Sequence, residues 1–285
     1  MIVDYTPVHV YKVDHRFVWV KREDLCTQPP GPPFSKCRGL YVHMKNLRDK
    51  KGIKIVGYVE TPISMAGWGV AWCAKLLGMK AVIYEPQYKQ GPPSMMLLHK
   101  HHWQEFDVIL EPVPAGRTCV NQHIAKKLLE IKYGSSAHLL PIGIPSEETV
   151  DETGEEWRRT IERYGKFHHT VICVGSGTIC AGILKVLQPD EGQLIGVLAY
   201  SKNLNKKYKS IFNKAHIGNE PLLRKDLDFQ LIDPGWKYTE SADIPQIFPC
   251  HRYYDLKAWQ WLVENLDKLK GRVLFWNIGS EDNRQ

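Results

Sequence analysis

The sequence contains no apolar run near the roughly 20 residues that a membrane-spanning helix needs, which argues against a bilayer-embedded chain. Its opening, MIVDYTPVHVYKVDHRF, lacks a basic stretch followed by an apolar one, so no signal peptide is expected. The seven cysteines are odd in number and form no CxxC pair. With no leader they read as reduced thiols, and a cytoplasmic protein is expected. No internal repeat and no low-complexity tract is present, which removes solenoids and long linkers from consideration. A glycine-rich turn occurs at 175–178, but no GK[ST] follows it and it is not a full GxGxxG, so neither a Walker A loop nor a dinucleotide fingerprint is present. His99, His101 and His102 cluster without a cysteine or carboxylate at ligand spacing, so no metal site is expected.

What is present is an ordinary apolar content over 285 residues, enough for one large domain or two intimately joined ones. The formal charge of +7 favours anionic partners such as phosphate, carboxylate or nucleic acid without choosing among them. Short, nearly continuous apolar runs at 18–20, 53–59, 81–84, 108–110, 171–174, 194–199 and 273–276 read as parallel strands buried on both faces. Helical patterns alternate with them at 36–48, 64–77, 94–103, 118–133, 147–164, 178–187 and 256–269. That alternation predicts an α/β fold with parallel sheets. The polar, basic segment 201–228 gives the least structural signal.

Four stretches carry chemistry. The first, KREDLCTQPPGPPFSKCRG at 21–39, runs from an apolar strand through a stiff Pro/Gly loop to Lys36 at a helix start. A lysine kept from protonation by an enclosed site becomes a nucleophilic amine, so Lys36 is a candidate Schiff-base residue. The second, at 57–86, is a βαβ unit whose loop carries Thr61 and Ser64. Ser64 stands where a helix N-cap belongs, either as a cap alone or as a cap that also receives a substrate carboxylate. The third is VICVGSGTICAG at 171–182, a strand running into Gly175, Ser176, Gly177 and Thr178 and then a helix. Glycines there let backbone N–H groups approach a phosphate, and a tight βα turn is the plainer alternative. The fourth is VLFWNIGS at 273–280, in which Asn277 and Ser280 are the polar residues at a strand end.

KREDL followed by a Gly/Pro loop and Lys36, with the GSGT turn downstream, resembles the fold type II (tryptophan synthase beta-like) pyridoxal-phosphate (PLP) enzymes. The closest likeness is to the aminocyclopropane-carboxylate deaminase and D-cysteine desulfhydrase group. The likeness extends through Ser64, Val70-Ala71, the 77–80 stretch LGMK, and the 253–258 stretch YYDLKA that places Tyr254 before a long helix. It implies two α/β domains, a larger cofactor domain of 1–48 and 141–285 and a smaller inserted one of 49–140, with PLP in the cleft. It implies that Lys36 carries the cofactor, that Gly175, Ser176, Gly177 and Thr178 hold its phosphate, and that Asn277 or Ser280 meets its ring nitrogen. Thr61, Ser64 and Tyr254 are then the substrate-side residues. Two positions depart from the family: Met65 stands where it has asparagine, and Ile278 where the deaminases have threonine.

The reading is a PLP enzyme acting at the α-carbon of an amino-acid-like substrate, of deaminase or lyase type, and a homodimer is implied. Met65, Ile278, the GPPFSK loop and the basic runs at 45–54 and 202–214 fit a small-amino-acid deaminase poorly. The PGPPFSK and AGW variants resemble a phage branch, in which such enzymes tailor amino acids attached to thymine in DNA. The alternative is therefore a decarboxylase or lyase acting on an amino-acid-modified nucleotide or DNA in the host cytoplasm, with exposed tryptophans stacking bases. A non-catalytic PLP- or nucleotide-binding α/β protein is the third possibility; a protein colourless after incubation with PLP removes the PLP reading, and a yellow one whose spectrum no amine shifts is a binder.

Overall fold

In β1 (Val8–Val13) and β2 (Arg16–Arg22) the chain forms an antiparallel hairpin, closed by Asp14 in a left-handed conformation with φ 52°. The computed structural model describes residues 1–87, 94–216 and 227–281. After the hairpin come α1 (Cys37–Lys51), β3 (Ile55–Val59), α2 (Ala66–Leu76), β4 (Lys80–Gln87), α3 (Ser94–Gln104), β5 (Ile109–Pro114), α4 (Thr118–Tyr133) and β6 (Ala137–Leu139). The third part holds α5 (Glu147–Tyr164), β7 (His169–Val174), α6 (Thr178–Val186), β8 (Gln193–Leu198), α7 (Leu204–Ala215), β9 (Phe229–Ile232), α8 (Asp255–Asn265) and β10 (Val273–Asn277). The chain divides into two compact units: Met1–Gln28, Pro33–Lys36 and Thr149–Gln285 form the first, and Pro29–Pro32 with Cys37–Glu148 the second.

The first unit is built on a six-stranded sheet in the order β1-β2-β10-β7-β8-β9. All its pairings are parallel except the β1–β2 hairpin. Its strands alternate between two apolar cores. Leu274 and Trp276 of β10, with Ile172 and Val174 of β7, pack with Trp157 of α5 and the apolar residues of α6 and α7. Val273 and Phe275, with Val171 and Cys173, pack on the other face with Leu256, Trp259 and Leu262 of α8. Burial on both faces is why these strands read as unbroken apolar runs. Lys21, itself fully buried, reaches Glu156 of α5 at 2.5 Å and the Thr6 carbonyl at 2.6 Å. The second unit has a four-stranded parallel sheet in the order β5-β4-β3-β6, with Val59, Val82 and Tyr84 packed on Ala125 and Leu129 of α4.

The strand candidates and most helix candidates are present within a few residues. β1, β6, β9 and α7 are additions: β6 is a three-residue strand, and β9 a four-residue one, too short to give an alternating signal. α7 occupies part of the basic 201–228 segment, and residues 217–226 of that segment lie outside the described residues. None of the nine tryptophans is fully exposed: six are buried, and Trp19, Trp236 and Trp261 are partly buried. Among the described residues no helix is long and apolar enough to cross a membrane.

Candidate active site

Lys36 stands one residue before α1, and backbone bonds fix its approach. The Ser35 N–H donates to the Ile278 carbonyl at 2.9 Å, the Ser280 N–H donates to the Pro33 carbonyl at 3.1 Å, and Phe34 bridges Gly279. The stretch preceding Lys36 is thus stitched to the chain that leaves β10. Lys36 is buried, and its Nζ donates to Ser176 Oγ at 2.9 Å. Burial, with Lys214 and Lys207 nearby, lowers its amine from 10.5 to about 7. A buried amine that is partly neutral near neutral pH is a competent nucleophile.

Ser176 belongs to the turn between β7 and α6. Gly177 there has φ +85°, and a Cβ on it would lie 2.6 Å from Ile211 Cγ1 of α7, so only glycine fits. A Cβ on Gly175 would touch the Tyr254 ring at 3.4 Å. The Ser176 and Thr178 hydroxyls are 3.0 Å apart. The turn therefore offers two hydroxyls and the amino end of α6 beside a partly neutral amine, a set suited to an anion. Tyr254 lies before α8, its hydroxyl 3.1 Å from that of Tyr238, and burial raises its phenol well above 10.

At the end of β10 the two polar candidates separate. Asn277 donates through Nδ2 to Asp24 Oδ1 at 2.8 Å and to the Pro249 carbonyl at 2.9 Å. Asp24 in turn receives Arg22 through two bonds, at 2.8 and 2.7 Å. The Arg and Asp of KREDL are thus structural, and they bind the Asn277 amide with them. Ser280 is fully buried, and its Oγ has no hydrogen-bond partner among the described residues. Ile278 uses its backbone N–H on Asp255 Oδ1 at 2.9 Å, and burial raises the Asp255 carboxyl from 3.8 to about 8.

Thr61 and Ser64 lie in the second unit. The helix expected from Ser64 begins at Ala66 with Met65 at the cap position, a correction of two residues. Ser64 Oγ accepts the Ala66 N–H at 3.0 Å, so it turns the chain into the helix from one position upstream of the cap. Glu60 supports this loop, accepting the Thr61 and Gly67 N–H groups at 2.7 Å each. A Cβ on Gly67 would lie 2.2 Å from Glu60 Oε2, so that carboxylate would have to shift. Trp68 donates to the Pro30 carbonyl at 3.1 Å and stacks on His102 at 3.8 Å. Sequence reasoning does not single out Glu60 beside Thr61, Asp255 beside Ile278, or the α7 lysines beside the glycine-rich turn. The available signal was the seven-residue spacing of Lys207 and Lys214 around Ile211, which puts all three on one helix face.

No family model matches this sequence. The chain is 34% identical over 294 residues to the "Glycyl-dTMP PLP-dependent decarboxylase" of Pseudomonas phage M6, an alignment covering 98% of this chain and all of that protein. The chain belongs to the fold type II PLP enzymes. Solved structures of the family share its fold. A homologue of aminocyclopropane-carboxylate deaminase superposes with a TM-score of 0.76 at 19% identity, covering 96% of this chain and 89% of that one. Threonine deaminase isoform 2 of Solanum lycopersicum gives 0.66 at 16% identity, with 99% and 80% covered. O-acetylserine-dependent cystathionine beta-synthase of Helicobacter pylori gives 0.64 at 16%, with 99% and 97% covered. The family's cofactor fits the residues in hand: a buried amine titrating at about 7, a turn that admits no Cβ at Gly177, and an unpartnered buried hydroxyl on Ser280.

Proposed function

We propose that this PLP enzyme is a decarboxylase of an amino-acid-bearing thymidine nucleotide. The end-to-end relationship to the phage glycyl-dTMP decarboxylase carries the reading. Met65 and Ile278, the two departures from the deaminase pattern, support it.

In this reading Lys36 would hold the cofactor and, when free, would hold a proton for the α-carbon. An amine titrating at about 7 serves both tasks, being neutral often enough to attack and protonated often enough to deliver. The bound cofactor accepts the electron pair released when the bond from α-carbon to carboxylate breaks. Gly175, Ser176, Gly177 and Thr178 receive the cofactor phosphate through backbone and hydroxyl donors. Ser280 meets the ring nitrogen; Asn277, engaged with Asp24 and Pro249, instead fixes the end of β10. A neutral hydroxyl partner leaves the ring nitrogen largely unprotonated. Tyr254 walls the turn at Gly175, and Thr61 and Ser64 serve as substrate-side residues. The homodimer and the host-cytoplasm location belong to the same proposal, and sedimentation tests the first.

The test is a spectral titration of the yellow protein. An amino-acid-modified thymidine nucleotide, alone or within DNA, should shift the spectrum, while D-cysteine and aminocyclopropane carboxylate should leave it unchanged. Rapid turnover of either small amino acid, with no response to the nucleotide, refutes the proposal in favour of a deaminase.

A further inference from the structure

One face of α7 is applied to the glycine-rich turn. Lys207, Ile211 and Lys214 recur at helical spacing, and Ile211 is the residue that a Cβ on Gly177 would strike. On either side of it, Lys207 Nζ donates to the Gly175 carbonyl at 2.7 Å and Lys214 Nζ to the Ser176 carbonyl at 3.1 Å. Lys214 is held by further bonds to the Ser210 carbonyl at 3.3 Å and its hydroxyl at 2.6 Å. Lys36 meets the same turn at the Ser176 hydroxyl. Three amines therefore converge on one turn.

Among the described residues, no carboxylate forms an ion pair with Lys207 or Lys214. Carbonyl oxygens satisfy ammonium donors but bring no net charge. The cost appears in the amines themselves: burial and the neighbouring lysines lower Lys207 to about 8, and burial also lowers Lys214. Two half-buried cations fixed against a turn of anion-binding form suit an anion of charge near −2, which is what a phosphate monoester carries above its second ionisation at about 6. Lys207 makes one of the three bonds an ammonium group can make, leaving donors for a ligand.

We propose that Lys207 and Lys214 form a cationic wall that, with the 175–178 turn, binds a phosphate monoester dianion. The inference rests on the reading of that turn as a phosphate site and adds α7 to it. The same chemistry is offered by the cofactor's phosphate and by the 5′-phosphate of a nucleotide substrate. It also gives the basic 202–214 run a task other than contact with a nucleic-acid surface.

The test compares ligands that differ only in the phosphate. The full chain, freed of cofactor, is titrated with PLP and with pyridoxal; the holoenzyme is titrated with thymidine monophosphate and with thymidine. Lys207→Met and Lys214→Met should each reduce the preference for the phosphorylated member of one pair by roughly tenfold or more, the value of a charge-assisted bond. Binding of thymidine should stay level. The ratio within the PLP pair cancels any change in Lys36, which PLP and pyridoxal meet alike. Lys207→Arg, which keeps the positive charge, should retain the preference. Loss confined to the PLP pair assigns the cofactor's phosphate, and loss confined to the thymidine pair the nucleotide's. Thr178→Val reports on the turn itself. If it weakens PLP while both lysine variants keep full preference in both pairs, the α7 proposal falls and the turn reading stands. If none of the three variants alters either pair, both fall. Should a methionine variant not fold, glutamine at the same position is read by the same ratios.

Discussion

Lys36 is expected to be a largely neutral amine at a pH where a surface lysine is an ammonium ion. Burial is the first cause, and the charges of Lys214 and Lys207 are the second; together they bring it to about 7. At about pH 7.5 such a group is roughly three-quarters neutral, whereas an ordinary lysine is neutral in roughly one molecule in a thousand. Formation of the yellow, borohydride-reducible adduct by the cofactor-free chain should therefore accelerate up to about pH 7 and level off, as read by stopped-flow absorbance. Lys214→Met removes one neighbouring positive charge, so protonating Lys36 becomes less costly and the midpoint should rise, by up to about one unit. It should stay below 10.5, because burial is the larger cause and is untouched. A wild-type rate that keeps climbing past about pH 9, or a Lys214→Met midpoint that moves down, refutes the account of how this amine is tuned.

Three further outcomes are expected. Gly177→Val combines a left-handed φ of +85° with a 2.6 Å approach to Ile211, and should lower stability by about 1–3 kcal/mol and weaken PLP binding; a folded variant with unchanged affinity places the phosphate elsewhere. Burial pushes the Glu60 carboxyl from 4.5 to about 8, so the folded state holds this proton more tightly than the unfolded chain does. Its contribution to stability is full below 4.5 and is lost as pH rises towards 8, so the melting temperature should fall across that window, and less steeply in Glu60→Gln; equal slopes contradict the assignment. Asp24→Ala leaves the Arg22 guanidinium and the Asn277 amide buried without their shared acceptor and should cost about 3–5 kcal/mol in urea unfolding, whereas a loss under about 1 kcal/mol indicates that the network is dispensable.

Much of the fold was legible because both faces of the parallel strands are buried. Val171 to Val174 and Val273 to Trp276 had to be apolar without interruption, and that pattern leaves little choice of class. The 175–178 turn was legible in part because Gly177, at φ +85° and 2.6 Å from Ile211 for an added Cβ, is held to glycine. The short strands β6 and β9 were not, since three or four residues carry no period. Ser64 was read as the helix N-cap, one residue ahead of Met65, and the Glu60 bond to the Gly67 N–H is not visible in a sequence pattern. Asn277 and Ser280 looked equivalent as polar residues at a strand end. What separates them is Asp24, distant in the chain and bonded to only one of them. The basic 202–214 run suggested a diffuse electrostatic surface, and its helical spacing instead turns Lys207 and Lys214 onto the turn.

The central claim is the identity of the bond broken. The most direct measurement supplies the wild-type enzyme and Lys36→Ala with a glycyl-bearing thymidine nucleotide labelled in its carboxylate, and follows labelled carbon dioxide and ammonia together. The account predicts carbon dioxide in step with substrate loss, an amine retained on the nucleotide, no ammonia, and neither product from Lys36→Ala. Ammonia with a retained carboxylate, or undiminished carbon dioxide release by Lys36→Ala, contradicts it.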